Sequence, residues 1–320
     1  MAAISMIQLI NVTKQYESQS GSRSEIVAAD RLNLEIPDGE IFGLVGPNGA
    51  GKTTTLKMVC GLQSPTMGQV LVNGVDVQRD PEKAQEQLGY LADFFSVYED
   101  LKVWEYLDYF ANAYKIDAAK IDERVKETIR RMNLNGKRDE LISGLSRGMK
   151  QRLGIGRAVI HDPPLIILDE PAAGLDPKAR VELKELLKEL HAEGKTIFIT
   201  SHILADLEEI CTSIAVMEKG RLLRIGRIED VMTEAAAVRR VRIRLAAAGF
   251  AAEDWLNERP GVSGISATAT GAEFAFVGDD AALATLVREL VHAGAPVCGV
   301  EKLTETLERL YSRISTGEVM

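Results

Sequence analysis

The sequence predicts an α/β chain in two parts: a larger unit at 5–235 built on buried parallel strands, and a smaller α+β unit at 236–320. Three observations carry this. An apolar run at 41–45 breaks into a glycine-rich turn and then a helix opening, IFGLVGPNGAGKTT at 41–54. Two more short apolar runs, in PLIILDEP (164–171) and KTIFITSH (195–202), flank an amphipathic helical pattern, as strands covered on both faces do. From about 236 alanine rises, and strand and helix patterns alternate in the order β-α-β-β-α-β, the ferredoxin-like split βαβ arrangement.

A chain of 320 residues accommodates about two domains, each able to bury a core without staples. Hydrophobic residues make up 46% and charged ones 27%, the balance of an ordinary soluble protein. The 38 basic against 47 acidic residues give a formal charge of −9, which argues against nucleic acid or an anionic lipid surface as the main partner. Cys60, Cys211 and Cys298 are far apart and odd in number, so a disulfide framework or zinc site is not expected and buried thiols are. The start MAAISMIQLI lacks the basic flank and long apolar core of a signal peptide, and no run approaches the ~20 apolar residues that span a bilayer. The expectation is a soluble, cytosolic chain.

Alternation at 6–12 and 27–36 reads as two strands of a half-exposed sheet, joined by the polar loop ESQSGSRS at 17–24. The glycine-rich turn at 46–53 is a P-loop: Gly46-x-x-x-x-Gly51-Lys52-Thr53 brings successive backbone N–H groups close to phosphate oxygens. The helix opening at Lys52 aims its positive end at them, Lys52 would hold the β- and γ-phosphates, and the Thr53 hydroxyl would ligate Mg²⁺. Tyr16, at the end of the first strand, is either a platform for an adenine ring or an exposed strand-end tyrosine.

Next come a hairpin at 69–77 turning at Asn73-Gly74, a short helix from Pro81 and the strand LGYLA. The stretch 94–140 is rich in helix formers and aromatics. Their helical spacing from Trp104 onward favours core packing over an exposed docking surface. In LISGLSRGMKQRLGIGRAVI (141–160) Ser146 stands at an N-cap position and Gly148 permits close approach; a simple capped helix is the plainer reading. The strand of 164–171 ends in Asp169 and Glu170, where open α/β sheets place ligands; Asp169 suits Mg²⁺ and Glu170 suits a base for water. GLDPKARVELKELLKELHAEG (174–194) is a turn and a helix with Pro177 at its start. The next strand ends at His202, which alone reads as a cap or surface residue. A strand, a Lys219-Gly220 turn and a strand at 213–226, then a short helix in RIEDVMTEA, complete the larger unit. In the smaller one, VRRVRIRL, AAEDWLNE, VSGISATA, AEFAFVG, DDAALATLVRELVHAG and PVCGVEK form the series, and TETLERLYSRI is a final amphipathic helix.

The P-loop, LSRGMKQRL, LIILDEP, GLDP and SH stand in one order and spacing. On these five motifs, residues 5–235 resemble the nucleotide-binding subunit of an ABC transporter. The resemblance implies a P-loop NTPase fold with a RecA-like core, an antiparallel β subdomain and a helical subdomain at about 94–160. Residues 236–320 would then be a small accessory domain. The loop Gly46, Pro47, Asn48, Gly49, Ala50, Gly51, Lys52, Thr53 and Thr54 becomes the wrapping of the phosphates, and Tyr16 the adenine-stacking aromatic. Asp169 becomes the Walker B ligand of Mg²⁺, Glu170 the catalytic base and His202 the switch histidine near the γ-phosphate. Ser146 and Gly148 belong to the signature motif and Asp176 to the D-loop. Such a set suffices, because phosphoryl transfer needs mainly positioning and charge neutralisation.

The resemblance also implies partners. With one P-loop and one signature, the chain would close on ATP as a homodimer and work with separate transmembrane permease subunits, at the inner face of the membrane without inserting in it. Phe94, Phe95 and Tyr98 lie where the family docks a helix of the membrane subunit. The whole chain is most similar to the ABC-2 exporter branch. Asp93 departs from the pattern, standing where most relatives have glutamine. An ionised carboxylate cannot donate a hydrogen bond, so Asp93 would meet Mg²⁺ through water or mark the hinge to the helical subdomain. The alternatives are a soluble ABC ATPase acting on ribosomes or DNA, which the acidic balance disfavours, and a nucleotide-binding regulator, against which Glu170 argues.

Overall fold

The computed structural model describes residues 5–17, 25–230 and 239–303. The chain divides into two compact units, 1–227 and 228–320.

In the first unit β1 (Ser5–Glu17) pairs antiparallel with β2 (Glu25–Pro37) and with β4 (Met67–Val72), and β5 (Val75–Asp76) extends that sheet. The β4–β5 turn is Asn73-Gly74, both residues at positive φ (47° and 75°), as a tight hairpin demands. The second sheet runs β10-β9-β3-β8-β7-β6. Its members β6 (Leu88–Leu91), β7 (Leu165–Leu168), β8 (Thr196–Ser201), β3 (Ile41–Val45) and β9 (Ser213–Glu218) are parallel, and β10 (Arg221–Arg227) returns antiparallel. β3, β7 and β8 are buried at every residue, which is why they read as unbroken apolar runs. The core lies between the sheets: Ile7, Leu9, Val12, Leu32 and Ile36 meet Phe42, Leu44, Ile167 and Phe198. Leu56, Met58 and Val59 of α1 (Lys52–Val59) complete it. The P-loop is therefore anchored at both ends, by a central strand and a buried helix.

Helix α2 (Pro81–Glu86) precedes β6; the helical part holds α3 (Val103–Ala113), α4 (Ala118–Arg131) and α5 (Arg147–Val159). In α4, capped by Asp117, the buried Ile121, Val125, Thr128 and Ile129 follow the helical period. The aromatic stretch divides between both expected readings: Tyr106 is in the core, while Phe94 (91% exposed) and Tyr98 (57%) stand in solvent. α5 packs on β6 at backbone distance, since a Cβ on Gly89 would sit 1.8 Å from the Ala158 carbonyl oxygen. The Phe95 ring occupies the space beside Gly154, 2.7 Å from where a Cβ would be. α6 (Pro177–Ala192) lies between β7 and β8 in sequence, and α7 (Leu204–Glu208) follows β8.

The second unit comprises β11 (Arg239–Leu245), α8 (Ala252–Asn257), β12 (Val262–Thr268), β13 (Gly271–Phe276), α9 (Asp280–His292) and β14 (Val297–Leu303). Its antiparallel sheet runs β12-β13-β11-β14, the ferredoxin-like order. Val241, Ile243, Phe274 and Phe276 face Leu256, Leu283, Leu286 and Leu290. Of the polar loop expected at 17–24, Glu17 ends β1 and residues 18–24 lie outside the described residues, as do the final helix TETLERLYSRI and most of RIEDVMTEA.

One expectation is corrected. Cys60 and Cys211 are buried, but Cys298 is exposed on an alternating strand, its thiol against the Arg244 carbonyl oxygen at 3.4 Å.

Candidate functional site

The site is assembled where β3, β7 and β8 end. The P-loop's tight path needs its glycines: a Cβ on Gly46 would lie 2.1 Å from the Met217 carbonyl oxygen. One on Gly51, at φ 109°, would lie 2.1 Å from that of Ala28. Gly49, at φ 81°, turns the tip. The buried Lys52 donates to the Gly46 carbonyl oxygen at 2.7 Å and to that of Pro47 at 3.4 Å; its ammonium is also 3.2 Å from Glu170 Oε1. Thr53 faces solvent at the first turn of α1.

Asp169 is only 1% exposed, and its backbone N–H donates to the Leu91 carbonyl oxygen at 2.9 Å. Thr200 of β8 holds both acids. Its hydroxyl donates to Asp169 Oδ1 at 2.7 Å and accepts the Glu170 N–H at 3.0 Å. Glu170 lies at φ 49°, a left-handed conformation that a non-glycine residue keeps only where its surroundings impose it. Its Oε2 accepts the His202 backbone N–H at 3.2 Å and lies 2.7 Å from His202 Nδ1. Lys52, Glu170 and His202 thus form one chain of polar contacts, an ion pair and then hydrogen bonds, across three segments. Asp93 faces the same charges: burial first, then the Asp169 and Glu170 carboxylates, push its carboxyl above the ordinary aspartate value, opposed by Arg147 and His202. Tyr16 stands at the rim; its hydroxyl donates to Gln63 Oε1 at 2.8 Å and lies 3.4 Å from Thr54 Oγ1.

Three sequence-derived residues stand elsewhere. Ser146 caps α5 by accepting the Met149 N–H at 3.3 Å, and Asp176 caps α6 by accepting that of Ala179 at 2.9 Å. With Gly148 they line an open pocket of about 360 Å³ to which no P-loop residue contributes. A Cβ on Gly148 would come within 2.9 Å of the Ala179 Cβ, so glycine lets the two helix starts meet.

Sequence reasoning passed over Thr200 and Arg147. A polar residue inside the buried run TIFITS was the available signal for Thr200. Arg147 donates to the Ala173 carbonyl oxygen at 2.9 Å and packs its guanidinium against Gly174. Nothing in the local pattern marks it.

The oxygen donors suit a hard divalent cation: an exposed Thr53 hydroxyl and an Asp169 carboxylate oriented by Thr200, without sulfur or imidazole. Among the described residues no group of three or more His, Cys, Asp or Glu side chains is arranged to hold a metal ion by itself. No helix among them is long and apolar enough to cross a membrane.

Residues 29–173 match the family model of the ABC transporter. The Nod factor export ATP-binding protein I of Cupriavidus metallidurans is 37% identical over 227 residues, 71% of this chain and 73% of its own. An uncharacterised ABC transporter ATP-binding protein of Nostoc is 36% identical, over 71% of this chain and 68% of its own. Among solved structures, an ATP-binding subunit of an ABC transporter superposes with a TM-score of 0.63 at 31% identity, over 72% of this chain and 93% of that one. The dimeric ATP-binding cassette MJ0796, bound to ADP and Pi in a post-hydrolysis state, gives a TM-score of 0.63 at 27% identity over 70% of this chain and 99% of that one. A phosphate loop on a central parallel strand and a buried acidic pair beside it match that kinship, and the chain belongs to the ABC transporter family as an ATP-binding, ATP-hydrolysing subunit.

Proposed function

We propose that two copies of this chain close head to tail on two ATP molecules and that this closure drives transport through separate membrane-spanning permease subunits. The observation that carries the reading is the segregation of the site: Ser146, Gly148 and Asp176 line a pocket apart from the loop that binds phosphate. A second copy can bring that face, with the N-terminus of α5, to the γ-phosphate held by the first. The relatives' names support the rest: several are export ATP-binding proteins, and the cassette MJ0796 is dimeric. The export direction and the ABC-2 branch belong to this proposal, as does a place at the inner face of the membrane.

In this mechanism the P-loop amides and Lys52 take the phosphates, Lys52 exchanging the Glu170 carboxylate for phosphate oxygens. Glu170, held through Oε2 by His202, then has Oε1 available to accept the proton of a water attacking the γ-phosphorus, with ADP as the leaving group. Thr53 and Asp169 would hold Mg²⁺, with Asp93 reaching it through water; the ion supplies charge neutralisation at the β- and γ-phosphates. Tyr16 offers the adenine a stacking face. Phe94, Phe95 and Tyr98 form the surface on which the permease docks.

The test compares wild type with Glu170→Gln by ATP turnover and by size-exclusion chromatography with ATP. Wild type turns over, and the variant, losing roughly 10²–10⁴-fold in rate with the base, elutes as an ATP-trapped dimer. A variant that stays monomeric at saturating ATP rules out the shared site.

A further inference from the structure

We infer that Arg180 and Asp206 are positioning residues for the Glu170–His202 pair: together they tie the backbone segment that leaves Glu170 to the helix that follows His202. The inference rests on Glu170 and His202 acting as proposed above. The two catalytic side chains come from different strand ends and meet at a single 2.7 Å contact. Glu170 is at φ 49°, and the His202 side chain is 45% exposed. Thr200 fixes the Glu170 backbone N–H and Lys52 pairs with its carboxylate, but the nearly half-exposed His202 depends on the alignment of its own segment with that of Glu170.

The structure places one ion-pair cluster there. Arg180, in the first turns of α6, donates through Nε to the Leu175 carbonyl oxygen at 3.2 Å, five residues after Glu170. Its Nη1 lies 3.6 Å from Asp206 Oδ2, on α7, four residues after His202. Lys184 adds a second cation 3.5 Å from Asp206 Oδ1, and is itself 2.9 Å from the exposed Glu209 carboxylate. Asp206 is 8% exposed, and its Oδ2 has no hydrogen-bond partner. A narrow cavity behind the site is lined by Pro171, Ala172, Arg180, Ser201 and Asp206, so the cluster stands between the two segments.

A carboxylate buried this far is costly to desolvate, and ion pairs at 3.5–3.6 Å repay that incompletely. Apolar side chains would fill the same space with less penalty. What they lack is a fixed link between α6 and α7, which the guanidinium provides by gripping a carbonyl on one segment and a carboxylate on the other. The strained Glu170 backbone is over-determined through the same turn: the Ala173 N–H donates to the Glu170 carbonyl oxygen at 3.0 Å, and Arg147 holds the Ala173 carbonyl.

The test uses the full chain with Arg180→Ala and the isosteric Asp206→Asn, which keeps the fold should the alanine variant lose it. Hydrogen exchange is followed by segment, together with kcat and KM for ATP. Each variant should raise exchange about tenfold in both 170–176 and 201–207 and leave the remaining segments unchanged. Each should also lower kcat at least about tenfold while KM stays within about threefold. In a Glu170→Gln background, adding Arg180→Ala should change residual turnover less than about twofold, because the group being positioned is gone. A rise spread over the whole unit or confined to one segment overturns the inference, as does an unchanged kcat or a loss additive with Glu170→Gln. If wild type does not turn over, the proposed function fails on that result while the exchange pattern still decides the link.

Discussion

The histidine at the back of the helical part makes the stability of this unit depend on pH, with a calculable size. His161 is mostly buried, its ring stacked on Tyr114 (centroids 3.8 Å apart, planes at 15°). Its Nε2 lies 3.2 Å from the Leu88 carbonyl oxygen, and Nδ1 is buried without a partner. Burial, outweighing the Leu88 contact and the nearby Asp162 carboxylate, depresses its pKa from 6.5 to about 4. The unfolded chain therefore protonates this residue first as pH falls. The stabilisation is complete above about 6.5 and is lost progressively toward 4. By linkage the loss relative to pH 8 is about 2 kcal/mol at pH 5 and about 3 kcal/mol at pH 4. His161→Phe keeps the stack and cannot protonate, so the wild-type-minus-variant difference isolates the histidine from every other titrating group. Urea unfolding followed by Trp104 fluorescence in a Trp255→Phe background should show the wild-type midpoint dropping by roughly 1 M more than the variant's between pH 8 and 5. A difference that stays constant to within about 0.5 kcal/mol over that range refutes the reasoning.

Other predictions concern the nucleotide and the partner. Tyr16→Ala should weaken ATP binding by about 1–3 kcal/mol, the worth of one base stack, whereas Tyr16→Phe should bind nearly as wild type; calorimetric titration decides, and equal affinities would remove the platform role. Asp93→Gln should keep ATP turnover within about tenfold of wild type, and a larger loss would make the carboxylate a direct participant. Phe94→Ala should leave the melting temperature unchanged, since that ring is 91% exposed, while reducing co-purification of the permease; undiminished capture would place the docking surface elsewhere.

Much of this molecule was legible in its residues because local physics and chemistry coincide at the site. A loop that must approach phosphate needs Gly46 and Gly51, and strands buried on both faces must be apolar, so 41–45, 165–168 and 196–200 announced themselves. The cap Ser146 was equally visible, and Pro177 marked the start of α6. What was not legible depends on pairing between distant segments. β8 lies between β3 and β7, and its pairing with β7 brings Thr200 beside Asp169 and Glu170; no local pattern specifies that neighbour. Arg147, Arg180 and Asp206 read as ordinary helix charges until the turns they grip are beside them. Cys298 escaped because its strand alternates in solvent exposure, which a lone cysteine does not reveal. The aromatics of 94–114 were ambiguous because helical spacing is the same for a ring turned inward, such as Tyr106, and one turned outward, such as Tyr109.

The contact between Gly89 and Ala158 makes the helical part mechanically stiff toward the sheet. Most helix–strand contacts carry a layer of side chains that can repack, and such a layer absorbs small displacements. Here main chain bears on main chain, and Phe95 is wedged against Gly154 on the same helix. Close-packed matter of this kind transmits strain rather than damping it. The chain leaving β6 carries Asp93 and Phe95, and Ser146 caps the start of α5. A push delivered at the exposed aromatics would therefore arrive at the capped end of α5 little diminished, as through a lever without play.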